Sequence, residues 1–211
     1  MGVFKKFSCA AALTLGLSML GVVEANAAPN PNFHIYIAYG QSNMAGNGEI
    51  VPSVDQATNP KNFLMLASHN ANASQRSGKT TQSIKTGEWY PAIPPMFHPF
   101  ENLSPADYFG RAMVDSLPGV TVGIIPVAIG AVAIDAFDKD RYQAYFSSAA
   151  NYVQNWAKDY DSNPYKRIVE LGKKAKEVGV IKGFIFHQGE TDGTGSDWQN
   201  KAYKTYKDFV T

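Results

Sequence analysis

Three apolar runs, each ending in a knot of polar residues and glycine, limit what this chain can fold into more than any other feature. They are Phe33 to Tyr39 (FHIYIAY), Val120 to Ile129 (VTVGIIPVAI) and Val180 to Phe186 (VIKGFIF). Each is nearly continuous rather than alternating, the pattern of strands in a parallel sheet covered on both faces. Asn62 to Ala67 is a weaker fourth run. Helix signals fall between them. Ser104-Pro105 places an N-cap before a proline at the first helical position, and the segment runs to Leu117 before Pro118-Gly119. Asn163-Pro164 repeats the device and runs to Val178, where Gly179 is a natural stop. Residues 141–157 read as helical. A further helix starts at Ser196-Asp197, with Trp198, Tyr203, Tyr206 and Phe209 on one face. Strands alternating with helices predict right-handed βαβ units and a three-layer α/β/α sandwich with a parallel, flavodoxin-like sheet. Such sheets bind ligands beyond the carboxyl ends of their strands. The three polar knots are therefore the candidate sites.

The first residues belong to a different category. Lys5 and Lys6 precede an apolar stretch from Cys9 to Val23, and Ala25-Asn26-Ala27 supplies small residues at the spacing of a cleavage site. This predicts a secretory signal over 1–27, too short to span a bilayer as an anchor, and an extracellular or periplasmic protein. Cys9 has no apolar run before it, which argues against a lipoprotein site there. It is also the only cysteine of the 211 residues, so residues 28–211 hold no disulfide and no thiol nucleophile. Removing Lys5, Lys6 and Glu24 takes the 19 basic and 18 acidic residues to 17 of each. A balanced surface argues against nucleic acid or anionic membrane as a partner and suits an uncharged substrate such as a neutral polysaccharide. Residues 28–211 are long enough for one domain with its own core.

After the first strand comes Gly40-Gln41-Ser42-Asn43-Met44-Ala45-Gly46. A nucleophilic serine needs an exposed Oγ and nearby backbone N–H groups, and a strand-to-helix turn supplies both. Ser42 and Asn43 would equally well serve as plain turn caps. The stretch is not the Gly-x-Ser-x-Gly elbow, because Met44 stands at the second glycine. Nor do Gly40, Gly46 and Gly48 have the spacing of a phosphate cradle. After the second strand, Gly130 would let backbone approach a ligand closely, and it is equally an ordinary turn glycine. After the third come His187-Gln188-Gly189-Glu190-Thr191-Asp192. Gln188 could donate a side-chain N–H to an oxyanion. His187 is either a base or a histidine satisfied by its neighbours. A metal site from His187, Glu190 and Asp192 would match no standard zinc spacing.

Together the three stretches resemble the SGNH (GDSL-like) hydrolases, and within them the carbohydrate esterase branch of acetylxylan esterases and the sialate O-acetylesterase domain. Gly40-Gln41-Ser42-Asn43-Met44-Ala45-Gly46 is similar to the block that carries the nucleophilic serine. Ile129-Gly130 resembles the glycine block, and His187-Gln188-Gly189-Glu190 with Asp192 resembles the third block. Trp89-Tyr90-Pro91-Ala92 is also similar to that branch. The resemblance spans residues 33–211 and implies a carbohydrate O-acetylesterase acting on acetylated polysaccharide or small acetyl esters. It implies Ser42 as nucleophile, an oxyanion hole of Ser42, Gly130 and Gln188, and no metal or organic cofactor. The family's remaining pair, Asp-x-x-His, has no counterpart here. The histidines are His34, His69, His98 and His187, and none has an aspartate three residues before it. The expectation is a C-terminally incomplete domain of low activity, with His187, oriented by Glu190 or Asp192, as the only substitute base. A carbohydrate-binding module without chemistry is the rival reading. Finally, Ser68 to Asn102 is too long for a plain connection. It is expected to pass near the site, with Trp89, Tyr90, Phe97 and Phe100 either packing on the domain or offering a wall to sugar rings.

Overall fold

A computed structural model describes residues 28–56, 59–76, 82–194 and Lys207. The expected signal segment and the helix expected from Ser196 lie outside the described residues, Lys207 apart. The four apolar runs form β1 (Phe33–Gly40), β2 (Phe63–Leu66), β4 (Thr121–Ala128) and β5 (Val180–His187), with β3 (Trp89–Pro91) as a short addition. The sheet order is β3-β2-β4-β1-β5. β1, β2, β4 and β5 run parallel, and β3 pairs antiparallel with β2 at one edge. β3 was invisible in the sequence because its three residues sit in a polar, proline-rich segment with no apolar run.

Side chains alternate between two cores, one per face of the sheet. Ile35, Ile37, Tyr39, Ile125 and Val127 face α3 (Tyr142–Ser148), α4 (Asn151–Ala157) and α5 (Pro164–Ala175). Ala38, Val122, Ile124 and Met65 face α1 (Ser42–Ala45) and α2 (Pro105–Ser116). This is the three-layer α/β sandwich. The expected caps form: Ser104 Oγ accepts from Ala106 N and Asn163 Oδ1 from Lys166 N.

The segment 141–157 is two helices rather than one. Ser148 Oγ donates to the carbonyls of Ala144 and Tyr145, and Ala149 and Ala150 are extended. Serines bonding back to their own helix compete with its continuation. The break redirects α4, and so the placement of Trp156.

Register explains why the strand ends form one site. Gly40 pairs with Ala128 of β4 and with His187 of β5. All three chains therefore leave the sheet at the same level. Among the described residues no helix is long and apolar enough to cross a membrane.

Candidate active site at the carboxyl ends of the strands

Gly40 is where the backbones come closest. A Cβ there would stand 2.0 Å from the carbonyl oxygen of His187, and its φ is +150°. Only glycine fits. Gln41 N then donates to His187 O, and Ile129 N donates to Gly40 O, both at 3.1 Å. The buried Gln41 side chain accepts from Thr191 N at 3.1 Å. Asn43 Nδ2 donates to Glu190 Oε1 at 2.5 Å and Asn43 Oδ1 accepts from Asn47. These ties lock the first loop to the third and leave Ser42, at the start of α1, half-buried between them.

Gly130 lies against Ser42. A Cβ on Gly130 would come 3.7 Å from Ser42 Cβ and 3.2 Å from Cζ3 of Trp156. The next residue, Ala131, holds a left-handed φ of +59°, a strained conformation for a residue with a Cβ. Tyr145 OH supports that turn by accepting from Ala133 N at 3.0 Å, and burial raises its pKa. Neither the N–H of Ser42 nor that of Gly130 donates to another described residue, and Ser42 Oγ has no hydrogen-bond partner among them.

Gln188 holds a different post from the one expected. Its Nε2 donates to Val132 O at 2.6 Å and to Asp192 Oδ2 at 3.0 Å, while Oε1 is buried without a partner. Both amide hydrogens are engaged, so the side chain braces the glycine loop. Asp192 does the same, accepting Ile134 N with both carboxylate oxygens at 3.1 Å.

A cavity of about 590 Å³ opens over Ser42, lined also by Gln41, Gly130, Tyr152, Trp156 and Glu190 among others. His187 lines a separate cavity of about 610 Å³ with Met44, Leu103 and Phe186, and Ser42 is not part of it. His187 Nε2 and Glu190 Oε1 are 3.9 Å apart, both side chains well exposed. The two remain neighbours, but the histidine is not brought into the cavity of Ser42. Among the described residues no group of three or more His, Cys, Asp or Glu gathers as a metal site.

Trp89 and Tyr90 are not brought there either. The Trp89 ring packs on Phe33, at 4.8 Å between centroids, near the amino end of β1. Phe33 begins that strand seven residues before Gly40, roughly 23 Å away at strand spacing. The Tyr90 hydroxyl donates to Glu88 and accepts from Lys85 N on the outermost strand. Phe97 is fully buried, and only Phe100 of that expected wall is exposed near the site, tilted against Trp156 with centroids 5.5 Å apart.

Sequence reading missed three things: the loop ties of Gln41 and Asn43, the cavity walls Tyr152 and Trp156, and a pair between buried His98 and exposed Asp159. Gln41 and Asn43 were visible as amides flanking the serine. Tyr152 and Trp156, four residues apart on one helix, were visible as an aromatic pair.

A profile of the family described as carbohydrate esterase, sialic acid-specific acetylesterase, matches residues 32–211. The chain belongs to that family. It is a family of carboxylic ester hydrolases, which gives the chain an esterase role. An Arabidopsis thaliana protein of known structure superposes with a TM-score of 0.55 at 20% identity, over 85% of this chain and 68% of that one. A carbohydrate acetylesterase from Xanthomonas citri scores 0.45 at 20% identity, over 77% of this chain and 34% of its own. NanS scores 0.48 at 19% identity, over 79% and 57%. At 20% identity the likeness to the Arabidopsis thaliana protein speaks for the fold alone.

Proposed function

We propose that the protein is a secreted carbohydrate O-acetylesterase with Ser42 as its nucleophile. Ser42 Oγ bonds to the acetyl carbonyl carbon. The bond between the acetyl carbon and the sugar oxygen breaks, the sugar leaves as its hydroxyl after taking up the proton that Ser42 gives up, and water then hydrolyses the acetyl-enzyme to acetate and free Ser42. The N–H groups of Ser42 and Gly130 hold the transient oxyanion. Gln188 joins them when one of its hydrogens turns away from Val132 or Asp192. The observation that supports this reading best is the pair of N–H groups, unengaged among the described residues, beside the Ser42 hydroxyl in one cavity. Acetylated xylan is the favoured substrate, because residues 28–211 carry no net charge.

None of His34, His69, His98 and His187 lines that cavity. General-base assistance is commonly worth about 10²–10⁴ in rate. The oxyanion pocket alone leaves roughly 10³–10⁴ over water when triad members are removed from a serine hydrolase. The protein is therefore a weak esterase, and a Ser42 with no histidine in its cavity among the described residues is also what favours the second reading, a carbohydrate binder without chemistry. Hydrolysis of p-nitrophenyl acetate by the purified protein and by Ser42→Ala tests both. Slow turnover that the substitution abolishes supports the esterase. Turnover near the typical ~10 s⁻¹ would contradict the missing base, and equal rates in both proteins would leave the binder.

A further inference from the structure

We propose that Tyr152 and Trp156 form the sugar platform of the Ser42 cavity, and that this platform selects a neutral O-acetylated pyranoside over an anionic one. The inference rests on Ser42 as the reacting residue and goes beyond it in naming what lies against the acetyl group's sugar.

Two aromatic rings, Tyr152 and Trp156, line one side of the cavity, and Phe100 and His98 continue the series behind Trp156. Tyr152 meets Trp156 edge-on, with centroids 4.9 Å apart at 69°. Trp156 lies over Phe100 at 5.5 Å and 31°, and Phe100 stacks on His98 at 5.1 Å and 11°. The far end of the series is fixed, because His98 is buried and its Nδ1 lies 2.8 Å from Asp159 Oδ2. The near end is open. Tyr152, which lines the cavity, is 51% exposed. Trp156 reaches to within 3.2 Å of where a Gly130 Cβ would be, so the indole lies against the glycine of the oxyanion pocket.

An aromatic face carries partial negative charge and accepts the positive C–H side of a pyranose ring, while the sugar's hydroxyls stay in solvent. A platform joined to the nucleophile in this way would orient the acetyl group without touching it. The cavity volume of about 590 Å³ lies in the usual range for small-ligand sites. Charge decides between sugars. Among the described residues lining the cavity, Glu190 is the one charged side chain, and none is lysine or arginine. A sialic acid carboxylate would meet an acid where it needs a cation. A xylose or glucose ring meets no such penalty.

The test titrates the purified protein with an O-acetylated methyl xyloside and, separately, with O-acetylated N-acetylneuraminic acid. Tryptophan fluorescence and calorimetry supply the readouts. The same titrations are run on Tyr152→Ala and Trp156→Ala, and on Trp89→Phe as the distant control. The xyloside is expected to bind at least tenfold tighter than the sialate. Tyr152→Ala should weaken it three- to tenfold, Trp156→Ala more than tenfold, and Trp89→Phe not at all. Tyr152 is exposed enough to be replaced without unfolding the protein, so it decides the matter should Trp156→Ala fail to fold. Equal or tighter binding of the sialate, no binding of the xyloside, or unchanged binding by Tyr152→Ala overturns the proposal. Reaction of the unaltered protein with a fluorophosphonate reads Ser42 independently. Platform-dependent xyloside binding without an adduct at Ser42 sinks the esterase reading and keeps the platform. An adduct at Ser42 without platform-dependent binding does the reverse.

Discussion

Two polar clusters lie at the two ends of one aromatic series, Trp156–Phe100–His98, and they handle water in opposite ways. On one side, Ser42 and the N–H groups of Ser42 and Gly130 face an open cavity without partners among the described residues. On the other, His98, His69 and Tyr160 are sealed in the interior, with His98 held to Asp159 and the Nε2 atoms of both histidines buried without partners. Judged by residue type, the second cluster looks more catalytic, because it contains an Asp–His pair. Judged by access, it cannot reach an ester. Burial there supports the aromatic wall; exposure on the other side leaves donors available. Chemistry follows the free donor and the open path rather than the residue type.

Gly40→Ala should have the largest effect on that contrast. A methyl group 2.0 Å from His187 O forces β1 and β5 apart just where the loops converge. The expected loss is about 4 kcal/mol or more, read as a fall in thermal midpoint or as insoluble protein. A folded variant melting within a few degrees of the unaltered protein would break the claim that level strand ends build the site.

His98→Ala comes next. It removes a fully buried ring and strips Asp159 of its partner, which should cost about 3 kcal/mol. Urea unfolding measures this. The folded fraction should still react at Ser42; if it folds normally and does not react, the His98–Asp159 pair belongs to the chemistry after all.

Acid should separate the two clusters as well. Burial first, then His98, depresses the pKa of His69 to about 3 from its ordinary 6.5; Arg76 and Arg167 add to the fall and Asp159 opposes it. The folded value lies below the unfolded one, so the unfolded chain binds the proton first. The stability is complete above about pH 6.5 and declines as pH falls from there toward 3. At pH 5 the loss from His69 alone is about 2 kcal/mol. Urea unfolding at pH 7 and pH 5 should show that slope, and His69→Phe should flatten it. An unchanged slope in His69→Phe would assign the acid sensitivity elsewhere.

Asn43→Ala should matter least, about 1 kcal/mol, because the bond to Glu190 is exposed. A loss of several kcal/mol in thermal unfolding would make that tie a keystone of the site.

The fold was legible wherever burial acts on a continuous run. β1, β4 and β5 and both proline-capped helices start and stop within three residues of the expected places. What escaped was set by distant contacts. β3 exists only because Met65 and Leu66 offer an edge to Tyr90 and Trp89. The Asp159–His98 pair joins residues 61 apart, which a search for Asp-x-x-His does not find. The same limit misplaced the sugar wall. Trp89 and Tyr90 stand in the right kind of loop, but pairing with β2 carries them to the far edge of the sheet. Tyr152 and Trp156 reach the cavity only because the helix breaks at Ala149-Ala150.

A crystal structure of the protein after long incubation with a small fluorophosphonate would test the oxyanion pocket most directly. The expected adduct joins phosphorus to Ser42 Oγ, with its phosphoryl oxygen about 2.7–3.2 Å from the N–H nitrogens of both Ser42 and Gly130. An adduct on another serine, or a phosphoryl oxygen turned away from Gly130, would contradict it.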